Sequence, residues 1–435
     1  MKIKKLELNN FRPFRHLDLD FTNRLTVLVG INGAGKTSVL DALAILLSRL
    51  IGRIRSSHGT GRFFTESDIH LGTTETNNTI EIIFNNHKVT WRVTKTKRGR
   101  KKQKISNLEE LKEIIEIIQA ELERNENASI PLAVYYGVNR AVLDIPLRIR
   151  KKHRFEQLAA YDQALTGARN DFRLFFEWFR NREDFENERR LYPVKDVKAK
   201  EDRLEGLPKE LYEVLFYRDS QLQAVREAIH ALTGFSNLRV RRGPLRMEVR
   251  KGNQHLNVAQ LSDGEKCLLA LAGDLARRLA IANPGLDKPL EGKGVVLIDE
   301  VDLHLHPEWQ HRVIPKLLET FPNCQFVLTT HSPQVLSHVR CENIWCLVQK
   351  GDEVTAVRPD GTYGQDSNFL LKTLLGSSYR PKEIEKDMER LFELIRENTK
   401  EARKLLNDLK IRIEGDSPDL VRAETLLHRR EVLGK

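Results

Sequence analysis

The sequence predicts an α/β protein whose central sheet is parallel and buried on both faces. Three stretches carry this prediction: LTVLVGINGAGKTS near the N-terminus, and GVVLIDEVD and CQFVLTTHSP in the second half. Each is a strand-length run rich in Val, Leu and Ile that ends in a glycine-rich or polar segment. Strands buried on both faces read as continuous apolar runs, whereas half-exposed strands alternate. Because the carboxyl ends of parallel strands meet at one edge, we expect these segments to lie together there.

Composition indicates a soluble globular chain. The 435 residues are enough to bury a large core, and 40 % of them are hydrophobic and 31 % charged. No window is an uninterrupted apolar run of about 18 residues, the length that a membrane span needs. The N-terminal MKIKKLELNNF alternates as a strand does and lacks the apolar core of a signal peptide. We therefore expect a cytoplasmic protein without a membrane partner.

The chain is basic, with a formal net charge of +11 at pH 7. Such a charge favours polyanionic partners without specifying one. Two segments concentrate it: KTKRGRKKQK at Lys95–Lys104 and RVRRGPLRMEVRK at Arg239–Lys251. A solvated loop is the simplest interpretation of the first segment, and phosphate contact is the alternative. Contact with a nucleic acid through these segments is therefore an open interpretation.

The periodicity of apolar residues divides the chain into four segments. The first is strand-rich around one core helix, KTSVLDALAILLSRLIG, and contains a hairpin that turns at Asn85 and Asn86. The second carries aromatic and charged helical patterns such as FRLFFEWFRNREDFENERR, the third returns to strands, and the fourth has two or three charged helices. The bounds are 1–150 for the N-terminal half of the core with its β lobe, 151–235 for a helical insert, 236–366 for the second half of the core, and 367–435 for a helical tail.

A phosphate-binding loop is the strongest motif. Gly30 is followed after four residues by Gly35, Lys36 and Thr37, between a buried strand and a helix. Glycines let the backbone wrap a phosphate closely, and the N–H groups of the helix start supply positive dipoles. Lys36 is expected to reach the β- and γ-phosphates, and the Thr37 hydroxyl to ligate Mg²⁺. The residues of this loop expected to bind ATP are Asn32, Gly33, Ala34, Gly35, Lys36, Thr37 and Ser38.

Two later strand ends carry candidate catalytic side chains. GVVLIDE delivers Asp299 and Glu300 at the end of a buried strand. Asp299 is expected to bind Mg²⁺, and Glu300 to orient or deprotonate a water molecule. CQFVLTTHSP delivers His331, which could hydrogen-bond the γ-phosphate. An acidic strand end is common by itself, but together with the phosphate loop it predicts a site that hydrolyses ATP with Mg²⁺.

A second helix start also favours an anion. QLSDGEK precedes the regularly apolar CLLALAGDLARRLA, and Ser262 and Gly264 are typical of a helix N-terminus. The loop around Lys36 already surrounds a nucleotide from one side, so a second phosphate site for the same molecule would be redundant. The economical interpretation is that Ser262, Asp263 and Gly264 bind the nucleotide held by a neighbouring copy. ATP would then lie between two protomers of a homo-oligomer.

Together these motifs resemble the ATP-binding-cassette (ABC) ATPases of the RecF, SMC and OLD branch. The resemblance covers both core halves through the phosphate loop, the LSDGE signature, the DE strand end and the following histidine. It implies an α/β P-loop NTPase fold of the ABC type, with an N-terminal antiparallel β lobe, a helical insert lobe and a C-terminal helical tail. The early NNFRPF is also similar to that branch and implies that Arg12 lies near the nucleotide phosphates.

Further segments resemble the PtuA family, the ATPase subunits of Septu anti-phage systems, which also occur beside some retrons. They are DEVDLHLHPEWQ, TTHSP, LAVYYGVNR, FFEWFRNREDFENE and PDLVRAETLLHRREVLGK. This resemblance implies a complex with a separate HNH nuclease subunit of the PtuB kind, and self-assembly beyond a dimer. The charged helical tail is a candidate for docking that partner.

Three assignments stay open at the level of sequence. Many cassette ATPases link Mg²⁺ to their helical lobe through a glutamine, and Asn139, Gln157 and Gln163 are candidates without a distinguishing spacing. A metal site from His304 and His306 is conceivable, but their alternation favours a structural or interface role. The cysteines show no CxxC pair and are expected to be small buried hydrophobic residues. They are Cys267, Cys324, Cys341 and Cys346.

Several functions compete. The motif set and the tail favour an ATP-hydrolysing regulatory and scaffold subunit of an anti-phage nuclease complex, which is not itself a nuclease. The alternative is a stand-alone DNA-binding repair ATPase of the RecF or SMC kind, contacting duplex through the two basic segments. The basic surface gives no support to an energising subunit of a membrane transporter. A fused nuclease of the OLD type is disfavoured because no strand-end acidic cluster for metal-dependent cleavage follows His331.

Overall fold

A computed structural model describes most of the chain. The described residues are 1–56, 58–99, 106–138, 155–167, 172–191, 217–351, 353–378, 380–415 and 417–433. Asn139, and residues 100–104 of the first basic segment, lie outside this description. The chain forms two compact units, Met1–Gln365 and Asp366–Lys435. The segments predicted as 1–150, 151–235 and 236–366 therefore belong largely to one unit.

The first unit contains all of the strands of the described residues. In chain order they are β1 (Lys2–Phe11), β2 (Phe14–Asp20), β3 (Leu25–Val29), β4 (Glu75–Phe84), β5 (His87–Thr96), β6 (Leu132–Tyr136), β7 (Ser236–Arg242), β8 (Leu245–Lys251), β9 (Gln254–Asn257), β10 (Gly294–Ile298), β11 (Cys324–Thr329), β12 (Ile344–Lys350) and β13 (Glu353–Val357). Its α-helices are α1 (Lys36–Arg55), α2 (Glu109–Arg124), α3 (Phe172–Leu191), α4 (Ser220–Thr233), α5 (Asp263–Ala282), α6 (Pro307–Thr320) and the single turn α7 (Pro333–Leu336).

The central sheet has six strands in the order β13-β12-β3-β11-β10-β6. All neighbours pair in parallel except β12 with β13, which are antiparallel. Every residue of β3, β6, β10 and β11 is buried, as the continuous apolar runs predict. The parallel sheet with buried strands is confirmed. Its register brings the carboxyl ends of β3, β10 and β11 to one edge, where the phosphate loop and the polar segments follow.

An antiparallel sheet in the order β2-β1-β4-β5 forms the predicted N-terminal β lobe. Its strands alternate between buried and more exposed residues, because one face packs on the core. The hairpin between β4 and β5 turns at Asn85 and Asn86, whose φ angles are 45° and 68°. Asparagine tolerates this left-handed region better than most residues, which explains the choice of residue in a two-residue turn.

Two buried helices cover the central sheet. Helix α1 contacts β6, β10 and β11, and helix α5 contacts α3, α4 and β6. The aromatic side chains of α3 are buried, with Phe175, Phe176 and Phe179 at most 1 % exposed. Phe175 packs on Gly273 of α5, where a β-carbon would lie 2.7 Å from the Phe175 ring. Glycine at this position therefore allows close contact between the insert and α5.

The second unit is a small helical bundle. Its helices are α8 (Ser367–Leu374), α9 (Lys382–Glu397), α10 (Thr399–Arg412) and α11 (Pro418–Leu433). Helices α9, α10 and α11 enclose a core of Leu, Ile, Met and Ala side chains that includes Leu391, Leu406 and Leu427, each fully buried. Asn398 caps α10 through its side-chain oxygen, which accepts from two backbone N–H groups. Among the described residues of the whole chain, no helix is long and apolar enough to cross a membrane.

Candidate nucleotide-binding site

The loop between β3 and α1 has the backbone of a phosphate cradle. Gly33 and Gly35 have φ angles of 84° and 89°, a region that side chains with a β-carbon rarely adopt. A β-carbon on Gly35 would also lie 2.5 Å from the ring of Phe14, so glycine is required there for space as well. No side chain caps the start of α1, and its first turn contains no acidic residue. The free N–H groups of this turn are therefore available to an anion.

Lys36 lies against this loop. Its side chain is largely buried, and Nζ donates to the carbonyl oxygens of Gly30 and Ile31 at 2.8 and 3.0 Å. Burial lowers the pKa of the Lys36 ammonium, and three carboxylates at the ends of β10 and its following turn oppose that shift. The cation is thus held between the loop and the acidic edge of the sheet.

Thr37 joins the loop to the end of β10. Its Oγ1 donates to Oδ2 of Asp299 at 2.8 Å. Asp299 is only 1 % exposed, and its Oδ1 accepts from Oγ1 of Thr329 at 2.5 Å. A hydroxyl and a carboxylate are oxygen ligands of the kind that Mg²⁺ takes. The two predicted metal ligands therefore lie side by side, and they fit Mg²⁺.

Glu300 follows in an unusual backbone conformation. Its φ is 48°, which is uncommon for a residue other than glycine or asparagine. Its backbone N–H donates to Oγ1 of Thr329 at 2.7 Å, and the next N–H, of Val301, donates to the Thr329 carbonyl at 2.9 Å. Thr329 at the end of β11 therefore fixes both Asp299 and Glu300. Such a conformation at a sheet edge is typical of functional sites.

His331 lies at the same edge, two residues after β11 ends. Burial, and after it the charge of Lys36, lower the pKa of the His331 imidazole, against the carboxylates of the β10 end. The ring is therefore neutral near pH 7 and retains one N–H donor. The preceding Thr330 donates from Oγ1 to Oδ1 of Asp302 at 2.5 Å, which ties the His331 segment to the turn after Glu300.

Arg12 is held by two carboxylates. Its Nε donates to Asp68 at 2.9 Å and its Nη1 to Asp41 at 2.8 Å. Burial opposes the charged guanidinium, but the hydrogen bonds and charges of Asp41 and Asp68 raise the pKa of Arg12 overall. Asp41 lies one turn after Thr37 on α1, and the neighbouring Pro13 and Phe14 pack on Gly35. Arg12 is thereby placed beside the phosphate loop, although its role toward a nucleotide stays a prediction.

The signature turn is built as a helix cap. Ser262 Oγ accepts from the N–H of Glu265, and the Glu265 carboxylate accepts from the Ser262 N–H at 2.9 Å. Lys251 donates to the other Glu265 oxygen at 2.6 Å. Gly264 lies against the turn after β10, because a β-carbon there would be 2.3 Å from the His304 carbonyl. Ser262 and Asp263 are exposed, and their contact with a nucleotide of a second protomer stays a prediction.

The structure argues against Gln157 as the residue that links Mg²⁺ to the helical lobe. Gln157 donates to the carbonyls of Ala128 and Ala282, which lie near the start of β6, at the opposite edge of the sheet from its Tyr136 end. A five-residue strand spans about 16 Å, so Gln157 is not placed to contact a metal at the nucleotide edge. Asn139 lies outside the described residues.

The histidine pair does not form a metal site in the described residues. His306 caps α6, since its Nδ1 accepts from the Glu308 N–H at 3.4 Å, and His304 is exposed. The group of potential ligands found close together in the described residues is instead Glu7, His16 and Asp18, on the antiparallel sheet. Of the cysteines, Cys341 is half-buried and the other three are buried, as expected of small hydrophobic residues.

The second basic segment is largely neutralised by its own neighbours. Arg239, Arg241 and Arg246 all donate to Glu248 on β8, at 2.7 to 3.2 Å. Burial opposes the Glu248 carboxylate, but the hydrogen bonds from these three arginines lower its pKa to about 2. Lys251 forms an ion pair with Glu265. This segment therefore offers fewer free cations to a nucleic acid than its composition indicates.

Comparison with known proteins supplies the family. An AAA-domain family model matches residues 5–229, and a second AAA-domain model matches residues 139–337. The chain is 33 % identical over 425 residues to "Retron Ec83 probable ATPase" of Escherichia coli, which covers 88 % of this chain and 78 % of that protein. The chain belongs to this family of AAA-domain ATPases. The predicted resemblance to ABC-type ATPases related to defence systems is confirmed.

Two further relatives of this ATPase family extend the comparison. "Retron Vc95 probable ATPase" of Vibrio cholerae serotype O1 biovar El Tor is 31 % identical over 375 residues, with 79 % of this chain and 73 % of that protein covered. "Septu protein PtuA" of Bacillus mycoides (strain KBAB4) is 25 % identical over 349 residues, with 76 % of this chain but only 38 % of that protein covered. Both align with most of this ATPase chain.

Several side chains of the site escape the sequence patterns. Thr329, Asp41 and Asp68 are placed by tertiary contacts rather than by a motif. Thr329 was within reach of sequence reasoning, because TTHSP puts it at the end of a buried strand beside His331. Asp41 and Asp68 carry no such signal, since only the fold brings them to Arg12.

Proposed function

We propose that the chain is the ATP-hydrolysing regulatory and scaffold subunit of an anti-phage defence complex that acts with a separate HNH nuclease subunit. The observation that carries the ATPase part is the hydrogen bond from Thr37 to buried Asp299, which joins the phosphate loop to the acidic strand end. The defence part is supported by the retron ATPases and the Septu protein, which are similar over most of this chain.

The phosphates of ATP would lie in the loop that precedes α1. Backbone N–H groups from Asn32 to Ser38 would donate to the phosphate oxygens, as the positive φ angles of the loop glycines support. Lys36 would place its ammonium beside the β- and γ-phosphates. Arg12, anchored by Asp41 near the start of α1, would add a second cation.

Hydrolysis would use the side chains at the strand ends. Thr37 and Asp299 would hold Mg²⁺, which when bound supplies positive charge to the phosphate oxygens. Glu300 would orient the attacking water and accept its proton. His331, neutral because its pKa is lowered, would donate its ring N–H to a γ-phosphate oxygen. The proposal does not require fast turnover, and it includes a slow ATPase whose role is regulatory.

ATP would also join protomers. Ser262, Asp263 and Gly264 would bind the nucleotide held by the loop of a second copy. This part is supported by the exposure of Ser262 and Asp263, and by their position at the start of α5, where the helix dipole favours an anion. The helical tail would dock the nuclease subunit. That subunit, and not this chain, would cleave nucleic acid.

The substitution Glu300→Gln tests the catalytic assignment. It keeps the size of the side chain but removes the base, so we expect ATP binding to persist while turnover falls at least about a hundredfold. Steady-state phosphate release and equilibrium binding of a fluorescent ATP analogue measure the two effects. Glu308→Gln, on the exposed start of α6, is the matched control and should leave both unchanged. Normal turnover in Glu300→Gln would contradict the assignment.

The nuclease partner is tested by co-expression. The full chain would be co-expressed with candidate HNH nuclease subunits of the PtuB kind, and any complex measured by native mass spectrometry. We expect both subunits in one complex, and loss of the nuclease when the chain is truncated after residue 365. A nuclease that remains bound after that truncation would exclude the tail as the docking element, and a nuclease that never binds would exclude the partner.

A further inference from the structure

The second unit has a basic groove between α9 and α11. The groove has a volume of about 600 Å³ and no carboxylate among its lining residues. Four arginines line it: Arg396, Arg422, Arg429 and Arg430. Within the described residues of this unit, none of the four guanidinium groups forms an ion pair with Asp or Glu.

Elsewhere in the bundle, charged side chains form ion pairs. On the side of α11 that faces α10, Glu424 pairs with Lys410 at 2.7 Å and Glu431 pairs with Arg403. On α9, Asp387 pairs with Arg412 at 2.7 Å. Helix α11 thus separates its charges by side, with its paired acids toward α10 and its arginines toward the groove. A generally charged, solvated surface would not require this separation.

Helix dipoles explain only part of the arrangement. Arg396 and Arg430 lie in the last turns of α9 and α11, where a cation is stabilised by the helix C-terminus. Arg422 lies in the first half of α11, so the dipole does not favour it. Four positive charges around one groove repel one another, and a bound polyanion would offset that repulsion by attracting each of them.

We propose that this groove binds a single strand of nucleic acid. Guanidinium groups match phosphate oxygens in bidentate geometry, and four of them would follow a backbone of successive phosphates. Between them the groove is also lined by apolar side chains, half-buried Phe392 and exposed Leu426. An aromatic ring beside arginines provides a surface on which a base stacks, which an acidic peptide would not use. The proposal does not depend on the ATP site.

The test uses the full chain and a fluorescent single-stranded oligonucleotide of about 12 nucleotides, within the site sizes of such proteins. The double substitution Arg422→Gln with Arg429→Gln should raise the dissociation constant, measured by anisotropy, at least about tenfold. It should also reduce the slope of log affinity against log salt by about 1.4, because each phosphate contact on a single strand contributes about 0.7.

The matched control removes the same charge from the neighbouring helix. Arg403→Gln with Arg412→Gln loses two arginines on α10 that are already paired with acids, so it should leave affinity and salt slope nearly unchanged. ATP-analogue binding by both double variants checks that the chain is folded. Equal losses of oligonucleotide affinity in the two double variants would show a general charge effect and overturn the assignment of the groove.

A third variant separates nucleic acid from an acidic protein segment. Phe392→Leu keeps the charge and an apolar side chain but removes the ring, so oligonucleotide affinity should fall at least about fivefold. A fluorescent polyglutamate peptide should bind weakly and show no dependence on Phe392. If that peptide binds in an Arg422-dependent manner while the oligonucleotide does not, the groove is a protein-docking site and the proposal is wrong.

Discussion

At the scale of single residues, the nucleotide edge depends on one threonine. Thr329 donates its hydroxyl to buried Asp299 and accepts from the backbone N–H of Glu300, so one oxygen fixes the proposed metal ligand and the adjacent proposed base. Its backbone carbonyl also accepts from Val301. The unusual φ of Glu300 is therefore held by three hydrogen bonds to one residue. A change at Thr329 would act on the reaction without touching the substrate.

Thr329→Val tests this role. Removing the hydroxyl deletes its hydrogen bonds to Asp299 and to the N–H of Glu300 at a buried position, so the free energy of unfolding should fall by about 1–3 kcal/mol. Turnover should fall as well, and the Mg²⁺ concentration for half-maximal rate should rise. Urea denaturation and phosphate release at varied Mg²⁺ measure these effects.

The control for this change is Thr320→Val at the end of α6. The Thr320 hydroxyl oxygen is buried and has no hydrogen-bond partner among the described residues, so its loss should not reduce stability. A Thr329→Val protein with unchanged stability and unchanged Mg²⁺ dependence would show that Asp299 and Glu300 are held by other contacts.

At the scale of elements, α5 is fastened to the sheet by a buried charge cluster. Asp274 accepts from Arg277 at 2.6 Å and from Arg278 at 2.7 Å, and the hydroxyl of Tyr136 donates to it at 3.0 Å. The carbonyl of Tyr136 in turn accepts from the N–H of Asp299. The cluster therefore connects the helix that begins at the signature turn with the strand end that carries Asp299, the proposed metal ligand.

Asp274→Asn tests the cluster. The substitution leaves two buried arginines without their carboxylate, so unfolding at pH 7 should require about 3–5 kcal/mol less free energy. Although burial opposes it, the charges of Arg278 and Arg277 hold the pKa of Asp274 well below its usual range. A depressed pKa stabilises the fold above the unfolded-state value and loses that contribution as pH falls below about 4.

The wild-type protein should therefore lose stability on acidification more steeply than Asp274→Asn. Urea denaturation at pH 7 and in the acidic range compares the two slopes. Asp287→Asn, exposed in the loop after α5, is the control and should match the wild type at both pH values. Equal acid sensitivity of Asp274→Asn and the wild type would mean that Asp274 makes no such contribution.

The elements also show how far the sequence predicts this site. The phosphate loop, the DE strand end and the helix start at Ser262 are local patterns, so their residues could be named before the fold was known. Asp274 was not predictable in this way, because its partner Tyr136 is 138 positions away in the chain. The neutralisation of Arg239 and Arg241 by Glu248 was missed for another reason: Glu248 is only 9 and 7 positions away, but the contacts depend on the register in which β7 and β8 pair.

At the scale of the whole molecule, the two surfaces predicted to contact a nucleotide differ in their surroundings. The loop at Lys36 is lined by cations and carboxylates, whereas Ser262 and Asp263 are exposed and their turn is fixed by Glu265, Lys251 and the segment after β10. The signature turn is thus a rigid surface at the start of a buried helix. A turn that is already ordered suits recognition by a second copy, because binding then costs little conformational entropy.

Ser262→Arg tests whether ATP joins two protomers through this surface. The substitution adds a long cation at the exposed helix start, so it should block the approach of a second protomer while leaving the Lys36 loop intact. In a Glu300→Gln background, where bound ATP persists, mass photometry should show ATP-dependent dimers or larger assemblies for the parent and monomers for Ser262→Arg. Ser236→Arg, exposed at the start of β7, is the control and should assemble normally. If Ser262→Arg instead abolishes binding of an ATP analogue by the monomer, the turn serves the nucleotide of its own chain and the two-protomer site is wrong.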